Sequence, residues 1–266
     1  MRAVVITLLV LTGLVVAVDF GAAAAVEYRI SEQLRSELEL VTDPSVRING
    51  FPFLTQAVSG NYSEIDMQAS GLTVGPLTDV GVEATLHDVT APLAEVTSGM
   101  LGSARAAAVD ARVRIRDSDL GRAIGIEDLR LQPASDEEVE EALGPVAVSE
   151  SDDDMGADMP AAVRMVATID VTGQRVEVIV IGLLELTDGV VWVTPADARF
   201  STDGVGEESL PAPIREPLLD VLTTEVDPGG LPFTVTPTAI YVQTGSLLVE
   251  GTAQDVSLGA VGVGIG

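Results

Sequence analysis

Sixteen consecutive residues, 3–18, are apolar or nearly so, with Thr7, Thr12 and Gly13 the least apolar among them. Directly after this run the apolar positions thin to every fourth residue: Val26, Ile30, Leu34 and Leu38, with Ala23 and Val41 extending the stripe. Glu27, Arg29, Glu32 and Arg35 fall largely elsewhere around the same cylinder. That period predicts an amphipathic helix over 19–41, ended before Pro44.

Beyond Pro52 the period changes to two. Ile65, Met67 and Ala69 share one parity; Val80, Val82, Ala84 and Leu86 share another, opposite Glu83, Thr85 and His87. Val109, Ala111, Val113 and Ile115 alternate with Asp110, Arg112, Arg114 and Arg116. Such segments predict antiparallel strands with one apolar and one wet face. A short helix and turn is expected over 118–131, and a capped turn at Ser135-Asp-Glu-Glu138 opens an acidic excursion over 135–160. Alternation resumes from Val163 to Val171, and 176–186 is apolar at both parities. Thr187-Asp-Gly189 predicts a hairpin turn. A second amphipathic helix is expected over 214–226, and a last hairpin over 233–249 turning at Thr244-Gly245. Gly50-Phe-Pro-Phe53 and Gly230-Leu-Pro-Phe233, each after a helix, are a weak internal likeness.

The apolar run changes the picture of location. With Arg2 before it and Ala22–Ala25 after it, the segment has the layout of a secretory signal. Sixteen residues span about 24 Å as a helix, short of a hydrocarbon core of about 30 Å. Residues 1–18 are therefore expected to be a signal peptide or an N-terminal membrane anchor, and the protein to be exported. Without cysteine the chain has neither a lipidated cysteine nor a disulfide. Apolar residues make up 47% of the chain and aromatics 3%, so its core is aliphatic. The net charge of −27, with all 14 basic residues Arg, repels nucleic acid and offers no polybasic stripe to anionic headgroups.

Candidate chemistry is sparse. His87 is the sole histidine and sits on a polar strand face, where a solvated side chain outweighs a catalytic triad. One histidine and no cysteine are a poor basis for zinc. Asp152-Asp-Asp154 fails the ligand spacing of a calcium loop counted from Gly156, and the glycines at 262, 264 and 266 precede no helix, so they lack a phosphate-loop context. No catalytic residue, metal or cofactor is expected.

Asp19, Glu27, the stretch Pro44-Ser-Val-Arg-Ile-Asn-Gly-Phe-Pro-Phe-Leu-Thr-Gln56, Gly60-Asn-Tyr62 and Leu231-Pro-Phe233 together resemble the LmeA-like phospholipid-binding family. That actinobacterial family is named for the mycobacterial lipomannan elongation factor, and the resemblance spans most of 19–258. Phe20, where a basic residue is common, the long acidic excursion and the glycine-rich tail over 259–266 depart from its pattern. The resemblance implies a phospholipid-binding, non-enzymatic protein of the cell envelope and periplasm, acting in lipid or lipoglycan biogenesis.

The expected fold is α+β: a long amphipathic helix or helices wrapped by a curved antiparallel sheet in one domain over 19–258, resembling the tubular (BPI-like) lipid-binding domains. The resemblance turns apolar faces into a candidate acyl-chain cavity lined by Ile30, Leu34, Leu38, Phe51, Phe53, Val82, Ala84, Leu86, Val113, Ile115, Val178, Val180 and Phe233. Arg112 and Arg114 are the candidate contacts for a headgroup phosphate. Expected partners are phospholipid, the membrane and an envelope biosynthetic protein. A non-catalytic scaffold for an envelope glycosyltransferase is the competing expectation.

Overall fold

The computed structural model describes residues 2–98, 102–126, 128–145, 160–171, 174–187, 190–202, 205–222, 224–226 and 236–260. The apolar run and the amphipathic stripe form one helix, α1 (Arg2–Glu37). The expected start at residue 19 is thus a continuation: no proline separates the two patterns, and Gly21 at the junction costs only about 1 kcal/mol in a helix interior. Glu39, at φ 52°, lies just beyond its end.

Strand β1 (Ser45–Asn49) and the short helix α2 (Phe53–Ser59) lead into the hairpin β2 (Asn61–Val74) and β3 (Leu77–Thr90). Helix α3 (Leu93–Ser98), β4 (Arg105–Arg116) and α4 (Asp117–Ile124) follow. Then come β5 (Arg130–Pro133), α5 (Asp136–Leu143), β6 (Ala161–Val171), β7 (Gln174–Thr187), β8 (Val190–Thr202) and β9 (Val205–Ser209). Helix α6 (Ala212–Leu222), β10 (Thr224–Val226), β11 (Thr236–Gln243) and β12 (Ser246–Ser257) complete the order. The helix expected over 214–226 gives way after Leu222 to β10, which pairs with β8. Phe233, the Gly230-Leu-Pro-Phe233 likeness, Asp152–Asp154 and the terminal glycines lie outside the described residues.

The fold is α+β with antiparallel sheets, but there are two of them where one curved sheet was expected. The first runs β1-β2-β3-β4-β12-β11 and the second β10-β8-β7-β6-β5, with β9 added beside β8. The chain leaves the first sheet after β4, builds the second, and returns with β11 and β12. The two-faced strand β7 explains the need for the second layer. One of its faces carries Ile179, Ile181 and Leu183, which pack in clusters with Val139, Ala142 and Leu143 of α5. Its other face carries Leu184, which joins Ala161 and Val163 against Ile240 and Val249 of the first sheet. A strand apolar on both faces is stable only when both are covered.

Helix α4 is locked to the start of β3 by Asp119, which is 1% exposed. Its carboxylate accepts from the Thr78 N–H (2.9 Å) and hydroxyl (3.0 Å), the Asp79 N–H (3.0 Å) and the Arg122 guanidinium (2.7 Å). Burial pushes this carboxyl up, but the Asp79 and Thr78 donors and Arg122 outweigh it and hold it below the ordinary carboxylate value. A folded-state value below the unfolded one means stability that is present above the unfolded pKa and is lost as pH falls through the folded value. Asp119→Asn is therefore expected to flatten the loss of stability below about pH 4, a slope read from urea midpoints measured across that range.

Candidate functional site

Register aligns the one-faced strands of the first sheet into a continuous apolar surface. Met67 faces Ala84, which faces Ala111; Val82 faces Val113, which faces Val249. The C-terminal half of α1 covers one end of this surface. Ala23, Val26 and Ile30 are buried there with Val46, Ile48, Ile65, Leu86 and Val109, and Leu34 packs at the margin.

Past the end of α1 the surface continues without that helix over it. Leu72, Val80 and Val113 are buried there beneath Leu40, while Leu38, Ala69, Val74, Leu77, Val82 and Ile115 remain only partly buried around them. Farther along the same face, Leu247 and Val249, register partners of Ile115 and Val113, meet the second sheet. The apolar face is thus helix-covered at one end, sheet-covered at the other, and partly open between.

The candidate residues divide among these zones. Ile30, Phe53 and Leu86 are core under α1, with Leu34 and Ala84 beside them. Leu38, Val82, Val113 and Ile115 are brought together in the partly open zone. Val180 is buried and Val178 half-buried on β7, at the parity of Leu184. Phe51 belongs to none of these: it is exposed and stacks on Phe20, ring centroids 6.0 Å apart.

Arg112 and Arg114 stand at the opposite parity of β4 from Val113 and Ile115, so the strand separates them from the apolar face. With Arg116 they line a shallow cleft beside Gln68, Ser70, Asp79 and Glu83. Arg112 is ion-paired with Glu250 and Arg116 with Asp79. His87 is on this wet side too, its Nε2 2.9 Å from the Asp110 carboxylate and half exposed. Among the described residues no group of three His, Asp or Glu side chains is placed to hold a metal.

Sequence reasoning missed Leu40, Leu72, Val74 and Leu77. A fixed period of two passes over the last three because the β2–β3 register shifts between Ala69 and Leu72 and again between Leu72 and Val74, with Gly71 at φ 77°. Such bulges switch the parity that faces inward. The Gly75-Pro76 turn flanked by apolar residues is the one local signal that marks them.

The most specific sequence motif turns out to be a latch. Asp19 of α1, 3% exposed, accepts the Phe53 and Leu54 N–H groups, each at 2.8 Å, and so caps α2 from another helix. Two turns on, Glu27 accepts the N–H of Ile48 on the edge strand β1 at 2.8 Å, and the Ser31 hydroxyl donates to the Pro44 carbonyl at 2.6 Å. Gln56 closes the loop between β1 and β2: its amide donates to the Asn49 carbonyl (3.1 Å) and accepts from the Ser63 N–H (3.0 Å). Gly50 sits at φ 97° with the Gln56 amide against the place a Cβ would take, which explains glycine there. These residues hold α1 across the sheet and thereby set where its cover stops.

The fold and this face define an α+β protein whose one-faced apolar sheet outruns the helix lying on it, leaving aliphatic side chains only partly buried. The model of the LmeA-like phospholipid-binding family matches residues 17–252, and the chain belongs to that family. Comparison with curated proteins and with solved structures returned no match.

Proposed function

We propose that this protein is an exported phospholipid-binding or transfer protein of the cell envelope, holding acyl chains on the partly open zone of the first sheet. Membership of a phospholipid-binding family supports the ligand class. The single structural observation that carries the placement is the apolar surface around Leu38, Val82, Val113 and Ile115 left uncovered by α1. Chains enter beside Leu38 and run along β3 and β4 toward the seam with the second sheet, where Val178 and Val180 extend the wall. Burial drives binding: each methylene contributes about 0.8 kcal/mol, so one acyl chain supplies useful affinity without a charge pair. The headgroup stays at the open end, in water.

In this reading residues 19–258 act as one lipid-binding domain of the tubular kind, helix and sheet enclosing the chains. Its role is passive and serves envelope lipid or lipoglycan biogenesis. Native mass spectrometry of the full chain from a lipid-containing host, followed by organic extraction, tests it. One or two phospholipids per chain are expected. An apo mass that is unchanged after incubation with phosphatidylcholine vesicles would mean a filled core, and would move the reading to a scaffold for an envelope enzyme.

A further inference from the structure

The exposed apolar part of α1 does not end in a polar surface where it meets the body. Phe20 and Phe51 stack there, each about three-fifths exposed, and Leu54 and Val58 stand one turn apart on the outer side of α2. Val58 is 82% exposed. In a chain with 41 carboxylates, residues 20–26 and 50–63 carry no charge at all. Two carboxylates reach this level: Asp19, which is sealed from solvent and holds two backbone N–H groups of α2, and Asp88 of β3, which is exposed on the side of Phe51 that faces Gln56 and Ser63.

Length points the same way. Helix α1 is apolar and long enough to cross a membrane, and residues 4–15 and 17–18 are exposed along it. The run over 3–18 spans about 24 Å, leaving it about 6 Å short of a hydrocarbon core of about 30 Å. Four more residues make up that deficit at about 1.5 Å each, which carries the bilayer boundary to about Ala22. That is the level of Phe20, Phe51 and Leu54. Phe and Leu side chains gain by inserting at the boundary between headgroups and acyl chains, and a carboxylate tolerates it when its oxygens are hydrogen-bonded inside protein.

Asp19 also bears on processing. It lies before Ala22–Ala25, the small residues suited to signal cleavage, yet it caps α2, and Ala23 is itself buried in the core. Cleavage there would remove the cap and leave the Phe53 and Leu54 N–H groups without their acceptor.

We infer that α1 is an uncleaved membrane anchor, and that an apolar collar of Phe20, Phe51, Leu54 and Val58 seats the body in the lipid interface, with Asp88 on the water side of Phe51. This is independent of whether the sheet holds a lipid. The occupant of the collar is the bilayer itself, reached by apolar insertion and not by charge.

The chain has no cysteine, so single-cysteine variants give clean labels. Phe51→Cys and Val58→Cys, with Val41→Cys as an exposed apolar reference beyond the end of α1, would each carry an environment-sensitive fluorophore. The full chain would be reconstituted in phosphatidylcholine vesicles. Labels at 51 and 58 are expected to be quenched by spin-labelled lipid and protected several-fold from aqueous iodide relative to the label at 41. Equal iodide access at all three positions would overturn the collar. So would protection at 51 and 58 without lipid quenching, because a second copy of the chain would then be the cover. The intact mass of protein extracted from host membranes is expected to include residues 2–18; a chain starting between Ala23 and Val26 would overturn the anchor.

Discussion

Ile115→Arg is expected to strip the protein of bound phospholipid while leaving it folded. Ile115 is only partly buried at the rim of the uncovered zone, so a longer side chain there can reach water without displacing the core around Leu72, Val80 and Val113. With lipid present the guanidinium would instead be enclosed against acyl chains without a counter-charge. An unpaired buried ion costs several kcal/mol, which at about 1.4 kcal/mol per decade removes two or more decades of affinity. Circular dichroism checks the fold, and vesicle-to-protein transfer of a fluorescent phospholipid checks the binding. Arg114→Ala, one residue away on the other face of β4, is the paired control. It is expected to leave transfer unchanged, because a chain on the apolar face has β4 between itself and Arg114. Equal loss in both variants would bring the headgroup to the wet face and refute the proposed path.

Asp19→Ala is expected to cost about 3 kcal/mol of stability, since hydrogen bonds to a charged group are worth about 1.5–3 kcal/mol each and two N–H donors, one buried and one part-buried, lose their acceptor. The urea midpoint of the detergent-solubilised chain should fall, with α2 the first part to gain amide exchange. Asp19→Asn keeps one acceptor oxygen and should recover part of the loss. The same substitution bears on lipid binding only through α1: unlatched at Asp19, the helix still has Glu27 on Ile48 and Ser31 on Pro44. A stability loss well under 1 kcal/mol would show that these two contacts alone keep the helix across the sheet.

The two variants separate what the motif does from what the face does. The Gly-Phe-Pro-Phe-Leu-Thr-Gln run is the most specific string in the sequence, and its aromatic residues invite a reading as lipid contacts. In the structure Phe53 is core, Gln56 ties a loop, and Phe51 stands outside the apolar face altogether. The residues proposed to hold acyl chains are ordinary aliphatic ones with no motif of their own. Uniform apolar alternation identifies the strand but is silent on whether its inward face is filled.

The sequence by itself determined what depends on near neighbours. The 3.6-residue stripe of Val26, Ile30 and Leu34 made a helix, the two-residue alternation of 109–116 made a one-faced strand, and the two-sided apolar run of 176–186 asked for cover on both faces. It also carried enough pattern to place the chain in a phospholipid-binding family. Only the tertiary structure decided that β12 pairs with β4 across more than a hundred residues, closing one sheet around the insertion of another. It alone decided that α1 stops short of the sheet's far end, and that the bulges near Gly71 turn Leu72 and Val74 inward. Asp19, an isolated acid in the sequence, became a helix cap through contact with residues 34 and 35 positions away. Local periodicity sets which face of an element is apolar; what covers that face is set by contacts between distant segments, and no single element's pattern contains them.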